Sequence, residues 1–249
     1  MKEERYEAIL ALLEEERYVS AAQLSRTLFV SLPTIRRDLA ELQRQGRVVR
    51  SHGGAKKVHA ENTVSPLDFR RTVNASAKRA LCRAAATLVK DNDVIFIDSS
   101  TTTLQMADFL GDKQDITVIT NGMALATRLA KKGIKTYSTG GEIFENSMAH
   151  FGSFAEEFIQ RFNVDTLFFS CHGVSDKGML TDPSLPETQI RKTAISQANK
   201  TVFLCDQTKL SLSTPYNLVP IRRIDCVITD TEAIVRYFEP EDPTEIIVV

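Results

Sequence analysis

From Ser76 to the end of the chain, short apolar runs alternate with helical stretches, and this alternation constrains the fold more than any other feature of the sequence. A helix is predicted over residues 77–89. Apolar strands follow at 94–98, 116–120, 135–139, 166–170, 201–205 and 226–229, most of them separated by helical segments. Strands that alternate with helices form a mainly parallel sheet covered on both faces, so this part reads as a Rossmann-like α/β domain. Polar clusters sit just after the strands: Asp98-Ser-Ser-Thr-Thr-Thr103, Asn121-Gly122, Gly140-Gly141-Glu142, Cys171-His172-Gly173 and residues 206–209. All five fall at carboxyl ends of strands, where open α/β sheets place their ligand crevice.

The hydroxyl run is the most chemically specific of these clusters. Ser99, Ser100, Thr101, Thr102 and Thr103 precede a predicted helix carrying Leu104, Met106, Ala107 and Leu110, so hydroxyls and free N–H groups can converge on one anion, for which a phosphate is well suited. Simple capping of that helix is the competing explanation. Neither GxxxxGK[ST] nor GxGxxG occurs, which argues against a nucleotide-hydrolysing or dinucleotide site, and no cofactor is expected. Cys171 and His172 are neighbours on an extended segment and point to opposite sides, so they do not form a nucleophile and base; His172 is expected to line the crevice. His59 and His150 belong to no constellation.

The first sixty residues have a different character. Tyr6, Ile9, Leu10 and Leu13 share one helical face, and three glutamates, Glu14 to Glu16, oppose the dipole at its end. Ser20 and Gln23 form a capping-box pair, with Val19 and Leu24 as a hydrophobic staple, for a second helix running to about Leu28. Ser31 then caps a third helix in which Pro33 lies in the first turn, Ile35, Leu39 and Leu42 form the buried stripe, and Gly46 ends it. Arg37 and Arg44 point away from that stripe, with Thr34 and Arg36 on its flanks. The stretch from Arg47 to Lys57 reads as a β-ribbon wing bent at Gly53-Gly54.

Charge is segregated along the chain. Although the whole carries 31 basic and 32 acidic residues, residues 17–57 hold nine basic residues against two acidic ones. Two short helices joined by a turn, the second basic at its start, match a winged helix-turn-helix that reads double-stranded DNA in the major groove. Ser31, Thr34, Arg36, Arg37 and Arg44 on the helix, and Arg50, His52, Lys56 and Lys57 on the wing, are the expected contacts to bases and phosphates. A protein-interaction module is the alternative on these features alone.

The string Val30-Ser-Leu-Pro-Thr-Ile-Arg-Arg-Asp-Leu39, with Gly46 and Arg50-Ser-His-Gly-Gly-Ala55 after it, closely resembles the signature of the DeoR family of bacterial repressors, and the likeness continues through most of the chain. The family's effector domain is similar to ribose phosphate isomerases. The resemblance implies that Asp98 and Ser99 to Thr103 hold phosphate or sugar hydroxyls, that Asn121 and Gly141 line the crevice, and that Glu187, Asp206 and Lys209 face the ligand from its far side. Ser100 stands where the family usually has glycine, Thr208-Lys-Leu-Ser211 replaces a more usual Ser-Lys-Phe-Gly, and Cys171-His172 occupies a normally blander position.

The expected organisation is a DNA-binding domain over 1–57, a linker over 58–75 broken by Asn62, Pro66 and Asn74, with a docked piece near 67–71, and an effector and oligomerisation domain over 76–249. The expected function is a sequence-specific repressor of a carbohydrate-catabolism operon, released from its operator by a phosphorylated sugar and assembled as a dimer or tetramer. An isomerase-like enzyme using Asp98, Glu187, Asp206 and Lys209 is the alternative, but it leaves the N-terminal domain without a purpose. A DNA-binding protein whose second domain only oligomerises leaves the strand-end clusters unexplained. No apolar leader or membrane-length run is present, four cysteines lack CxxC spacing, and a cytoplasmic protein with reduced thiols and no metal site is expected.

Overall fold

The computed structural model describes residues 2–16, 18–44, 47–51, 53–57 and 67–249. Arg17, Gly46, His52, His59 and residues 58–66 of the expected linker therefore lie outside the described residues, as do the side chains of Arg44, Lys56 and Lys57. The chain divides into two compact units, Met1–Ser65 and Pro66–Val249.

The first unit contains α1 (Lys2–Glu15), β1 (Val19–Ser20), α2 (Ala21–Thr27), α3 (Leu32–Arg44), β2 (Val48–Ser51) and β3 (Gly54–Lys57). Tyr6, Ile9, Leu10 and Leu13 of α1 pack with Leu24 of α2 and with Ile35, Leu39 and Leu42 of α3 in one buried cluster. Each such side chain contributes about 1.5–3 kcal/mol on burial, which is what holds three short helices together. Ser20 caps α2 by accepting from Gln23 N at 3.1 Å. The Gln23 side chain is held from the other direction, its Nε2 donating to the Glu16 carboxylate at 3.0 and 3.1 Å. The wing forms as β2 paired antiparallel to β3, and β1 adds a third strand beside β3. That close approach requires glycine: a Cβ at Gly54 would lie 2.3 Å from the Val19 carbonyl oxygen.

The second unit opens with α4 (Leu67–Thr72) and α5 (Ala75–Thr87), followed by β4 (Val94–Ile97), β5 (Thr117–Thr120), α6 (Met123–Lys131), β6 (Lys135–Ser138), β7 (Glu142–Phe144) and β8 (Ala149–Phe151). It continues with α7 (Ser153–Ile159), β9 (Val164–Phe169), β10 (Gly173–Val174), β11 (Met179–Asp182), α8 (Leu185–Gln197), β12 (Ala198–Cys205), β13 (Tyr216–Pro220), β14 (Cys226–Thr229) and β15 (Glu245–Val248). Seven strands form one sheet in the order β15-β14-β12-β9-β4-β5-β6. Every pairing in it is parallel.

Alternation along the strands explains why both faces are covered. Phe96, Leu167, Phe169 and Phe203 point to one side and pack with Ala155 and Ile159 of α7 and with Ile190 and Ala194 of α8. Ile95, Ile97, Phe168, Val202 and Leu204 point to the other and pack with Leu81, Cys82 and Ala85 of α5 and with Leu125 and Leu129 of α6. Strand order reverses between β4 and β9, since the chain runs outward through β5 and β6 from one and through β12, β14 and β15 from the other. Such a switch point opens a crevice at the carboxyl ends of the two central strands.

Candidate functional site

On the first unit, α3 presents a basic edge because its two faces are chemically sorted. Ile35, Leu39 and Leu42 are buried, whereas Arg36 and Arg37 are exposed. Asp38, an acid within the basic stretch, is turned inward and held by Arg5, whose Nε and Nη2 reach its carboxylate at 2.6 and 3.0 Å. That pair raises the Arg5 pKa and anchors α3 to α1. At the start of α3 the Ser31 and Thr34 hydroxyls share a hydrogen bond of 2.8 Å. Arg50 is exposed on β2.

At the switch point of the second unit, Asp98 follows β4 and is almost fully buried. Its Oδ1 accepts from Ser100 N at 3.1 Å and from the Thr103 hydroxyl at 2.8 Å, and its Oδ2 accepts from Ser170 N at 3.3 Å and Arg191 Nε at 3.0 Å. Ser100 Oγ accepts from Thr103 N at 3.1 Å. Asp98, Ser100 and Thr103 thus bind one another and shape the loop, while Ser99 and Thr101 meet other side chains. Ser100 takes no positive φ, so glycine is not needed there. The helix predicted after this loop forms as a single 3-10 segment, Thr103–Asp108, whose first N–H is the one taken by Ser100 Oγ.

Arg191 of α8 is the hub beneath the loop. Besides Asp98 it reaches Asp182 at 2.8 Å and Glu187 at 3.2 Å, and all four side chains are buried. Burial works to lower the Arg191 pKa, but Asp182, Asp98 and Glu187 together raise it well above its ordinary value. Burial pushes Asp182 up to about 6 despite the opposing pull of Arg191.

A second group of charges flanks the hub. Lys78, only 5% exposed on α5, donates to the Arg70 carbonyl of α4 at 2.6 Å and to the Thr101 hydroxyl at 3.2 Å. Burial brings its pKa down to about 8, helped by Lys209 and Arg70. Lys209 donates to the Cys171 carbonyl at 2.6 Å. Asp206 is held by Thr208 and, at 3.1 Å, by Asn74 Nδ2; burial opposes its ionisation, yet Lys209 and these hydrogen bonds leave its pKa lowered. Burial, with Lys209 and Arg70, brings His172 down to about 4, and its backbone N–H donates to Asp182 at 3.0 Å. Burial raises the Cys171 thiol to about 12, so this neighbouring pair holds an un-ionised thiol beside a neutral imidazole.

Asn121, at the end of β5, donates to Ser99 Oγ and to the His150 carbonyl, both at 3.2 Å, while its Oδ1 is buried without a hydrogen-bond partner among the described residues. Gly141 stands elsewhere: it lines a separate cleft with Thr139, Phe154 and Arg161, and a Cβ there would lie 2.5 Å from the Phe151 carbonyl oxygen. Around the hydroxyl loop, Leu67 and Arg71 of α4 narrow a cavity that Asp98, Ser99, Ser100 and Gly122 also line. Beside it lies a wider cleft of about 910 Å³ lined by Arg71, Arg79, Thr101, Gln105 and Arg128, among others.

Sequence reasoning missed Lys78, Arg70, Asp182 and Arg191. Two of them carried a signal, a charged residue placed on the apolar stripe of a helix, as Lys78 is among Leu81, Cys82 and Ala85, and Arg191 is among Ile190 and Ala194. Among the described residues no group of three or more histidines, cysteines or carboxylates is placed to hold a metal ion, the three carboxylates around Arg191 being taken up by its guanidinium, and no helix is long and apolar enough to cross a membrane.

Comparison with known proteins places both units. Residues 5–61 match the DeoR-like helix-turn-helix domain and residues 73–231 match the DeoR C terminal sensor domain. The chain is 34% identical over 230 residues to the HTH-type transcriptional regulator GolR of Listeria innocua, covering 92% of this chain and 91% of that protein. It is 32% identical to the HTH-type transcriptional repressor GlcR of Bacillus subtilis, covering 92% and 88% of the two chains. A ribose 5-phosphate isomerase A from Methanocaldococcus jannaschii overlaps 55% of each chain at 20% identity and a TM-score of 0.42. The matching reader and sensor domains, joined in one chain over almost its whole length, make this protein a DNA-binding transcriptional regulator of the DeoR family.

Proposed function

We propose that this regulator is a cytoplasmic repressor of a carbohydrate-catabolism operon, assembled from two or four copies and released from its operator by a phosphorylated sugar. α3 enters the major groove, where Ser31, Thr34, Arg36 and Arg37 meet base edges and nearby phosphates, and Arg44, Arg50, His52, Lys56 and Lys57 hold flanking phosphates. Pairing of half-sites by two copies supplies the specificity that one short helix lacks.

The observation that carries the sensor half of this reading is the concentration of cations around Thr101 at the switch point. Lys78 touches the hydroxyl, and Lys209 and Arg70 both depress the Lys78 pKa. The effector's phosphate docks against Lys78, Thr101, Thr102 and Lys209, and its hydroxyls meet Ser99, Asn121, His172, Glu187 and Asp206. The unpartnered Asn121 Oδ1 suits a hydroxyl donor. Asp98, Ser100 and Thr103 shape the loop from behind, and the regulator senses the sugar without turning it over. Because α4 both narrows the cavity and offers its Arg70 carbonyl to Lys78, a ligand that takes over the Lys78 ammonium shifts α4. The segment 58–75, which includes α4, then relays the change towards residues 1–57. A coupling of about 1 to 3 kcal/mol is typical of such switches.

A thermal-shift screen of phosphorylated sugars beside their unphosphorylated parents tests the sensor reading, since a ligand that binds only the folded state raises its apparent stability. A phosphorylated sugar is expected to raise Tm where its parent does not. Parent sugars acting as well as their phosphates would contradict the reading.

A further inference from the structure

Phe29 is an exposed residue held in an unfavourable conformation. It follows the last turn of α2 with φ +54°, in the left-handed region that favours glycine. The turn is fixed on both sides: Leu28 N donates to Leu24 O at 3.0 Å, Val30 N donates to Ser25 O at 3.1 Å, and the Ser25 hydroxyl donates to Val30 O at 2.6 Å. A bulky side chain at such a position strains the backbone, and strain of this kind concentrates at functional sites. Burial does not offset it, since Phe29 is 96% exposed and is the most exposed large apolar side chain among the described residues. Two residues later comes Ser31, and then the first turn of α3. A helix-turn-helix reads bases with the N-terminal part of its second helix, so the ring stands at the end of α3 that faces DNA.

We propose that Phe29 is a base-contact residue, its ring packing against a thymine methyl in the major groove beside the start of α3. Thymine is the base that offers an apolar group there, and phenylalanine is among the side chains that meet it. The proposal rests on the reading of α3 as the groove-entering helix, and it accounts for an aromatic residue where the turn itself calls for glycine.

The test uses the full-length chain and a duplex selected by the wild-type protein from a random-sequence pool. Phe29→Gly relieves the strain, so amide exchange in α2 and α3 is expected to stay as slow or become slower, while affinity for the selected duplex falls roughly tenfold, near the lower end of the effect of losing one base contact. Replacing single thymines by deoxyuridine removes only the methyl. At one position in each half-site this change should weaken wild type by a similar factor and leave Phe29→Gly no weaker than before. Unchanged affinity of Phe29→Gly, or equal losses for both proteins at every deoxyuridine position, would overturn the proposal, as would faster amide exchange, which marks a structural role. Arg37→Ala run in parallel separates the two levels: if it weakens binding while Phe29→Gly does not, Phe29 alone is misassigned, and if neither does, α3 is not the reader.

Discussion

Replacing Arg191 with methionine keeps most of the side-chain volume and removes the one guanidinium shared by Asp98, Asp182 and Glu187. The three ion pairs it makes to them measure 3.0, 2.8 and 3.2 Å, and none of the four side chains is more than 7% exposed. Removing one partner of a buried ion pair costs about 3–5 kcal/mol. Here the lower part of that range applies, because Asp98 retains Ser100 N, Ser170 N and the Thr103 hydroxyl, and Asp182 retains His172 N. At about 2–4 °C per kcal/mol for a unit of this size, the transition of the C-terminal unit should fall by roughly 6–12 °C at pH 7. The chain has no tryptophan, so circular dichroism is the suitable probe.

The pH dependence sharpens the test. Asp182 already has a folded pKa of about 6, above its ordinary 3.8, so the folded state binds its proton more tightly than the unfolded chain does. The stability linked to that proton is fully present below about pH 4 and is lost as pH rises through 6. Without Arg191, which pulls this pKa down, the carboxyl titrates higher still. The deficit of Arg191→Met relative to wild type should therefore shrink as pH falls from 7 towards 5. A loss below 1 kcal/mol at pH 7, or a deficit that grows on acidification, would refute the assignment of Arg191 as the organiser of the loop.

Arg36→Ala and Arg37→Ala should each weaken binding to a selected operator without lowering thermal stability, since both side chains are exposed and lie off the Ile35, Leu39 and Leu42 stripe. Loss of a base contact costs about 1–3 kcal/mol, and loss of a phosphate contact lowers the salt slope by about one unit, so affinity measured across a salt series distinguishes the two. Lys78 predicts a pH effect on sensing: its folded pKa of about 8 means that the free protein loses the cation above that pH, whereas a bound phosphate holds the proton in place. Effector binding should take up a proton near pH 8–9 and weaken by about tenfold per pH unit above 8, until the bound-state pKa is reached. Calorimetry in buffers of different ionisation enthalpy measures that proton, and binding with neither uptake nor weakening would remove Lys78 from the site.

Much of this architecture could be read in the sequence because the sheet is parallel and buried on both sides, so that runs such as Val94 to Ile97 and Val202 to Cys205 stand out between helices. The seventh strand, β15, was not expected, nor were the β7–β8 hairpin and the β10-β11-β13 sheet. Their strands are two to five residues long, too short for a clear apolar pattern, and β13 also depends on a distant partner, as when Thr181 pairs with Asn217. In the sensor region the hydroxyl run was conspicuous, but nothing in its spacing reveals that Ser100 and Thr103 turn back to Asp98. The Arg191 hub joins residues as far apart as Asp98 and Arg191, and only the fold brings them together. Gly141 looked like its neighbours at the strand ends, yet β6 is the sheet edge and carries it to a different cleft.

If a phosphate captured at Lys78 releases DNA, titrating the phosphorylated sugar found by thermal shift into a preformed complex of the full-length protein with its selected operator will show it. Wild type should be compared with Lys78→Met, which keeps an apolar stem in place of a buried cation and leaves α3 untouched. Lys78→Met also gives up the bond to the Arg70 carbonyl, so it should bind the operator no more tightly than wild type, and effector release is scored against each protein's own operator affinity. Wild type should dissociate as the sugar phosphate is added, while Lys78→Met should need at least about ten times more, in line with the loss of one charge-assisted hydrogen bond. Release of both proteins at the same effector concentration would contradict the account, as would a wild-type complex that no phosphorylated sugar dissociates.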